Sequence, residues 1–448
     1  MQTITLIALI LFGITYVLMM ALQKVRPYIA LGSALIFIGL GAVSFFSPET
    51  LGGFSYTPLE ALKNIDWNVI MMIAGTMGTV YLFIESKMPQ LMSDWLISHV
   101  SSVKWVVVVL SLFAGIVSAF VDNVATVLMI APVALAFCSR LKISPVSAII
   151  CIAVSSNLQG AATLVGDTTS ILLAKAANLD FSDFFVDDGK PGMFWVVEAG
   201  AVMSALIILF MFRKENGKID YHDRTKVEDM FPTWLLIGTV AALIAVSFIP
   251  YKEAANGGFY KPAITNGLIC MFFFAVGIVR QFFIKKDKET VVGAFKEIDY
   301  YTIFLLIGLF VVIGGVKNAG VVEFLGESIA KLGNGSVFVV YTILVWISVL
   351  LSAFIDNIPY TATMLALVPS IAAGVGLGDP KLLYYGLLCG ATLGGNLTPI
   401  GASANIAGIG ILRKEGYEVK AGTFMKFGVP FTLAAVTTGY LMLWFIWR

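Results

Sequence analysis

Two aspartate–asparagine pairs stand inside apolar sequence. One is Asp122-Asn123, within Ser118-Ala-Phe-Val-Asp-Asn-Val124; the other is Asp356-Asn357, within Ser352-Ala-Phe-Ile-Asp-Asn-Ile358. A carboxylate at bilayer depth costs roughly 2.5–3.5 kcal/mol on insertion scales, so its presence asks for a task. Carboxylate, amide and freed backbone carbonyl oxygens are hard ligands suited to a small cation. A desolvated carboxylate can also carry a proton. Thr126 accompanies the first pair, and Thr361 and Thr363 the second. Capping of the following helix is the competing role for both aspartates, and the two roles can coexist.

A second constellation is also doubled. Ser155, Ser156, Asn157, Gly160, Thr163, Gly166, Asp167, Thr168, Thr169 and Ser170 form one copy; Thr392, Gly394, Gly395, Asn396, Thr398, Pro399, Gly401, Ser403 and Asn405 form the other. Glycine permits unwound backbone and Pro399 removes a helical donor, so both stretches read as breaks in membrane helices. Half-helix N-termini facing a cavity suit an anionic or polar group. Close packing of small residues explains the glycines, but not the interleaved Asn, Thr and Ser. Asp167 has Ala402 as its partner position, which gives the first half an additional carboxylate. A Na⁺ site would draw on Asp122, Asn123, Asn157, Asp356, Asn357 and Asn396; protons are the other candidate coupling ion, and no cofactor is expected.

These residues need membrane helices to position them. Of 448 residues 58% are hydrophobic and 13% charged, with a mean hydropathy of +0.90. A soluble domain is about 25% charged, so the chain reads as an all-α polytopic membrane protein with the lipid bilayer as its partner. The net charge of +1 says nothing about nucleic acid, and no basic tract suggests it as a partner. Cys138, Cys151, Cys270 and Cys389 form no CxxC pair and read as buried hydrophobes. The first helix is expected to be retained, since Met1-Gln-Thr-Ile lacks a basic leader region.

Crossings are expected at 4–22, 28–46, 68–85, 145–177 (broken), 194–213, 233–250, 263–281, 301–318, 381–412 (broken) and 425–447. Segments 104–138 and 336–373 are expected to enter and return as re-entrant hairpins with the Asp-Asn pairs at their tips. Segments 88–102 and 319–332 read as amphipathic helices feeding them. Asp66 and Asp299, beside Trp67 and Tyr300, read as helix caps at the interface.

The halves repeat in register. Asp66-Trp-Asn-Val-Ile matches Asp299-Tyr-Tyr-Thr-Ile, the Asp-Asn pairs follow at nearly the same offset, and Asn157-Leu-Gln-Gly-Ala-Ala-Thr matches Thr392-Leu-Gly-Gly-Asn-Leu-Thr. This is an internal duplication: an N-terminal repeat over 1–213, a linker over 214–232 and a C-terminal repeat over 233–448. Five crossings per repeat is an odd number, so the repeats are inverted, a mark of secondary transporters. Alternate loops (23–27, 86–104, 138–144, 213–232, 280–300 and 413–426) hold 20 of the 29 basic residues. That side is expected to be cytoplasmic, with both termini outside.

At these motifs the chain resembles the ion transporter superfamily, specifically the ArsB/NhaD permeases, with the P protein and the sodium–dicarboxylate symporters as relatives. Asn157-Leu-Gln-Gly-Ala-Ala-Thr-Leu-Val-Gly-Asp167 is similar to that family's Asn-x-Gly-Gly-x-x-Thr-x-Ile-Gly-Asp stretch, departing at Gln159. Gly394-Gly-Asn-Leu-Thr-Pro-Ile-Gly-Ala-Ser-Ala-Asn405 is similar to the arsenite-permease and P-protein versions. The resemblance implies a homodimer in the bacterial inner membrane, with a scaffold and a transport domain that moves as an elevator. The symporters carry Ser-Asn-Thr at the tips. A carboxylate there repels a dianion unless neutralised, which turns the expectation towards Na⁺/H⁺ antiport or proton-coupled efflux of a small inorganic species such as arsenite. A sodium-coupled di- or tricarboxylate carrier is the alternative. A channel lined by the same tips is a further reading. Gly376-Leu-Gly-Asp379 spells an intramembrane protease motif, but outside any crossing.

Overall fold

The computed structural model describes residues 3–46, 54–100, 102–215, 217, 225–227, 229–249 and 261–448. Most of the central linker and the start of the chain, Met1 and Gln2, lie outside the described residues.

Ten helices form in the first half: α1 (Thr3–Ala21), α2 (Arg26–Phe46), α3 (Pro58–Asn64), α4 (Trp67–Glu85), α5 (Met88–Ser98), α6 (Val103–Ser118), α7 (Asn123–Leu141), α8 (Val146–Gln159), α9 (Thr168–Ala177) and α10 (Met193–Met211). The second half repeats the order: α11 (Phe231–Ser247), α12 (Thr265–Val279), α13 (Lys288–Glu297), α14 (Tyr300–Asn318), α15 (Val321–Leu332), α16 (Val337–Ser352), α17 (Asn357–Gly374), α18 (Lys381–Gly394), α19 (Ser403–Lys414) and α20 (Ala421–Trp447). The protein is a nearly all-helical membrane protein of two inverted repeats. Among the described residues, eight helices are long and apolar enough to cross a bilayer.

Three features depart from the sequence-based expectation. The short helices α3 and α13 precede α4 and α14, where only a cap and a loop were anticipated. A capping box accounts for α3: Thr57 Oγ1 accepts from Glu60 N at 3.2 Å, and Glu60 returns the contact to Thr57 N at 2.7 Å. The acidic segment 178–193 also holds a two-residue antiparallel ladder, Val186–Asp187 with Lys190–Pro191.

The first arms of the hairpins are too short to cross, while α7, a second arm, is one of the eight helices long enough to do so. At about 1.5 Å per residue, the 16 residues of α6 or α16 reach roughly 24 Å, short of the ~30 Å hydrocarbon. The second arms, α7 and α17, carry Pro132 and Pro369 within them. Both arms of the first hairpin pack on α8, and both arms of the second on α18. Each second arm also packs on the outer half of the other repeat's broken helix, α7 on α19 and α17 on α9. Around this assembly α4 packs on α12 and α14 on α2.

The breaks are near copies of each other. After α8 comes a 3₁₀ turn, Gly160–Ala162, then a turn over 164–166 flanked by the extended residues Thr163 (φ −132°) and Asp167 (φ −146°). After α18 comes Gly395–Leu397, then a turn flanked by the extended residues Thr398 (φ −126°) and Ala402 (φ −139°). Glycine is required where each break passes its hairpin. A Cβ on Gly166 would lie 2.6 Å from Gly160 O, 2.7 Å from Ser118 O and 2.8 Å from Ala119 O. On Gly401 it would lie 2.5 Å from Gly395 O, 2.8 Å from Ala353 O and 2.9 Å from Ser352 O.

Backbone carbonyls cannot yield as a flexible side chain does. Gly166→Ala and Gly401→Ala should therefore each destabilise the protein by about 1–3 kcal/mol. Gly13→Ala, with open space around it, should not. Thermal unfolding of the purified protein in detergent checks this; equal midpoints for all three would refute the tight-packing account.

Candidate functional site

Each hairpin tip is a helix start. Asp122 Oδ1 accepts from Val124 N at 3.0 Å and Ala125 N at 3.1 Å, and Asp356 Oδ1 accepts from Ile358 N at 3.3 Å. Capping is thus part of what these aspartates do. It leaves each carboxylate a second oxygen for other work.

Both tips open into one cavity of about 380 Å³. Of the residues singled out in the sequence, Asp122, Asn123, Asn157, Asp167, Thr168, Asp356, Asn357 and Ser403 line it. Gly166 borders a smaller recess next to it, shared with Asp122, Asp167 and Thr168. The remaining wall comes from α4, from the end of α13 and from the start of α14, including Tyr81, Lys296, Glu297, Asp299 and Thr302. Asp122, Asp167, Glu297, Asp299 and Asp356 against Lys296 make the lining strongly acidic.

Asp299 does cap α14, accepting from Thr302 N at 3.0 Å, and Asp66 caps α4 from Val69 N at 3.0 Å. Beyond that the two mates differ. Asp66 pairs with Lys175 at 2.9 Å, while Asp299 faces the cavity. Asp299 is thus the expected cap, with both oxygens engaged by Thr302, and it also borders the cavity.

Several candidates brace the site, Asn157 while also lining it and the others without lining it. Asn157 Nδ2 donates to Thr392 O at 2.8 Å and to Asn396 Oδ1 at 3.1 Å, and Asn157 Oδ1 accepts from Asn123 Nδ2 at 3.1 Å. Asn396 Nδ2 donates to Val154 O at 2.8 Å. Asn396 was a candidate Na⁺ ligand; with both ends of its amide engaged across the two breaks, it ties α8 to α18. Thr163 and Thr398 donate to the carbonyls of Ala119 and Ala353, which end the first arms of the two hairpins. Gly160, Gly395 and Gly401 provide close approach, as Gly166 does. Asn405 donates to Gly395 O at 3.2 Å and Thr398 O at 3.3 Å. Thr126 and Thr361 are fully buried on the second arms, away from the cavity wall.

Asp167 Oδ2 accepts from Thr169 Oγ1 at 2.9 Å, and Thr169 Oγ1 contacts Thr392 Oγ1 at 2.9 Å. The asymmetric carboxylate is thereby linked to the other repeat's broken helix. The amide of Asn357 lies among the Ser352 hydroxyl, Ala391 O and Gly401 O. Asp379 of the protease-like motif is exposed in the link before α18 and accepts from Lys381 N at 3.0 Å.

One partner escaped the sequence reading altogether. Arg26, at the start of α2, is 6% exposed and pairs with Asp356 through Nη1–Oδ2 at 2.9 Å. From sequence it was one basic residue among those of loop 23–27.

Asn157→Ala would strip partners from buried groups of Asn123, Thr392 and Asn396, at roughly 1–3 kcal/mol per orphaned group. Its unfolding midpoint should fall well below that of Ser403→Ala, which removes an exposed hydroxyl at the cavity edge. Matching midpoints would show that the asparagine bridge does not hold the breaks together.

The sequence model of the CitMHS family, described as "Citrate transporter", matches residues 7–390. Among curated proteins, an uncharacterized transporter of Mycobacterium tuberculosis is 28% identical over 98% of both chains. A 46 kDa membrane protein of Mycobacterium leprae is 29% identical over 98% of both. The human P protein is 24% identical over 89% of this chain and 56% of its own. Among solved structures, the YdaH transporter of Alcanivorax borkumensis superposes with a TM-score of 0.61 at 14% identity, over 93% of this chain and 97% of that one. MtrF of Neisseria gonorrhoeae, described as representing a class of antimetabolite efflux pumps, gives 0.56 at 15%, over 86% and 82%. With a duplicated fold whose hairpin tips and broken helices meet at one acidic cavity, this chain belongs to the CitMHS citrate transporter family of the ion transporter superfamily.

Proposed function

We propose that this membrane transporter is an ion-coupled secondary carrier in which Asp122, Asp167 and Asp356 bind the coupling ion, H⁺ or Na⁺. The observation that carries this reading is the acidic lining. Five carboxylates, of which Asp356 is paired with Arg26, stand against one lysine in the lining of a shared cavity, and this excess of negative charge attracts cations. The hairpins and broken helices then move against α4 and α14 as an elevator, in a homodimer embedded in the bacterial inner membrane. The cavity opens beside Lys296 and Glu297, on the face carrying most of the basic loops, so the conformation is an inward-open one.

The solute divides into two readings. Exchange of Na⁺ for H⁺, or efflux of a small inorganic species such as arsenite, follows from the charge alone. A citrate-like carboxylate is favoured by size and family. A volume of about 380 Å³ far exceeds the ~30 Å³ of one water and falls within the ~300–1,000 Å³ typical of small-molecule sites. A tricarboxylate enters such a site only with protons or cations that offset the carboxylates.

Flux into proteoliposomes under an imposed pH gradient tests this with Na⁺, Li⁺, arsenite, and citrate with and without a divalent cation. The wild type should show saturable, gradient-driven flux, and Asp122→Asn should reduce it roughly tenfold, the equivalent of about 1.4 kcal/mol. Unaltered coupled flux in the variant removes Asp122 from the mechanism, and single-channel currents in place of saturation would make the protein a channel.

A further inference from the structure

Three hollows stand in a row along the seam where α9 packs on α4. The main cavity takes Met77, Val80, Tyr81 and Ile84 from α4. A recess of about 20 Å³ opens from it and reaches Ile73 and Thr76 of α4, with Ile171 of α9 opposite. A third hollow of about 190 Å³ follows, taking Asn68 and Met72 from α4 and Ala174 and Lys175 from α9. Falling numbers on α4 and rising numbers on α9 thus run the same way, towards the face of Asp66.

The third hollow is polar and lies at the protein's edge. Asn68, Lys175, Asn178 and Asn266 line it, and Lys175, whose side chain is 54% exposed, pairs with Asp66 at 2.9 Å. At ~30 Å³ per water it has room for several. The recess admits a single water, since ~10–15 Å³ is the least that holds one, and Asp122, Asp167 and Thr168 offer it polar partners.

Between these two hollows the partition is apolar. Met72 and Leu164 line the outer one, and their chain neighbours Ile73 and Val165 line the recess. Their linings share one residue, Ile171, which is 3% exposed. Packing of a broken helix does not by itself bury an isoleucine at this place. Ile406, five residues past Gly401 as Ile171 is past Gly166, is 49% exposed.

We propose that the seam between α4 and α9 is a proton route between the face of Asp66 and Asp167, with Ile171 as the septum that closes it in this conformation. The inference rests on the coupling-ion role of Asp167 in the proposed function, and it narrows that ion to H⁺ along this path. A recess for one water passes a proton along hydrogen bonds and does not take a metal ion with its hydration shell. An apolar constriction sheds water, and a proton needs an unbroken chain of hydrogen-bonding groups. Ile171 beside Ile73 therefore insulates Asp167 from the outer hollow, while Asp167 stays in contact with the main cavity. Sliding of α9 past α4 carries Ile171 off Ile73 and joins the hollows, so that Asp167 exchanges its proton with one face at a time.

The test compares a hydroxyl with a methyl group at nearly constant volume. Proteoliposomes free of solute, with a pH dye inside and the voltage clamped, report passive proton leak; a Na⁺ dye reports the metal ion. Ile171→Thr should leak protons about tenfold faster than Ile171→Val, with Na⁺ leak unchanged, and Ile171→Val should match the wild type. Leu173→Thr, fully buried on the same helix and lining none of the three hollows, should not leak. Ile73→Thr against Ile73→Val repeats the comparison from the α4 side, and serves if Ile171→Thr does not fold. Equal leak within both pairs, an equal rise from Leu173→Thr, or a matching rise in Na⁺ leak would overturn the septum. Because no solute is present, a tight Ile171→Thr in a protein with coupled flux counts against this route alone, and a wild type without coupled flux counts against the proposed function.

Discussion

Every polar backbone group that leaves a helix inside the bilayer must find a partner within the protein, and the centre of this molecule is built around that constraint. Two helices are broken where they meet two reversing hairpins, so four stretches of chain lose their ladders in one place. The solution is reciprocal. Thr163 and Thr398 from the breaks satisfy the carbonyls of Ala119 and Ala353 at the ends of α6 and α16. Asp122 and Asp356 from the tips satisfy the first amides of α7 and α17. Asn157 and Asn396 then bridge the two breaks. Gly166 and Gly401 are glycines because these contacts leave no volume for a methyl group. The polar character of the cavity is a by-product of the same arrangement: oxygen atoms gathered to satisfy backbone also surround a hollow.

Much of this frame was legible before any coordinates. The doubled Asp-Asn pairs, the doubled glycine-rich breaks and their common register identify two inverted repeats, because duplication preserves residue types at fixed offsets. The short first arms, α6 and α16, marked the hairpins, because 16 residues do not reach across. The roles within the breaks were less legible. Asparagine, threonine and glycine are equally suited to lining a cavity and to bracing backbone, and only the direction of each side chain separates Asn157, which does both, from Asn396, which braces alone. The scaffold side of the site was hidden for a different reason. Asp299 and Lys296 stand in a stretch whose local signals are those of a helix start, and Arg26 meets Asp356 across 330 residues of chain. A local pattern carries no trace of such a contact.

The departures from symmetry are as informative as the symmetry. Asp66 and Asp299 occupy equivalent caps, yet Asp66 is closed off by Lys175 while Asp299 borders open space. Asp122 and Asp356 occupy equivalent tips, yet Asp356 is held by Arg26. Equivalent sequence in inequivalent surroundings leaves the two halves of one site with different charge partners.

Asp167 departs from the symmetry in a third way. It lies on the broken helix at the cavity wall, its counterpart in the second repeat is Ala402, and Thr169 ties it to Thr392 of the opposite repeat. The hydrogen bonds that join the two broken helices therefore also place this carboxylate, so a change in how the repeats pack at the breaks would move a charge at the cavity wall.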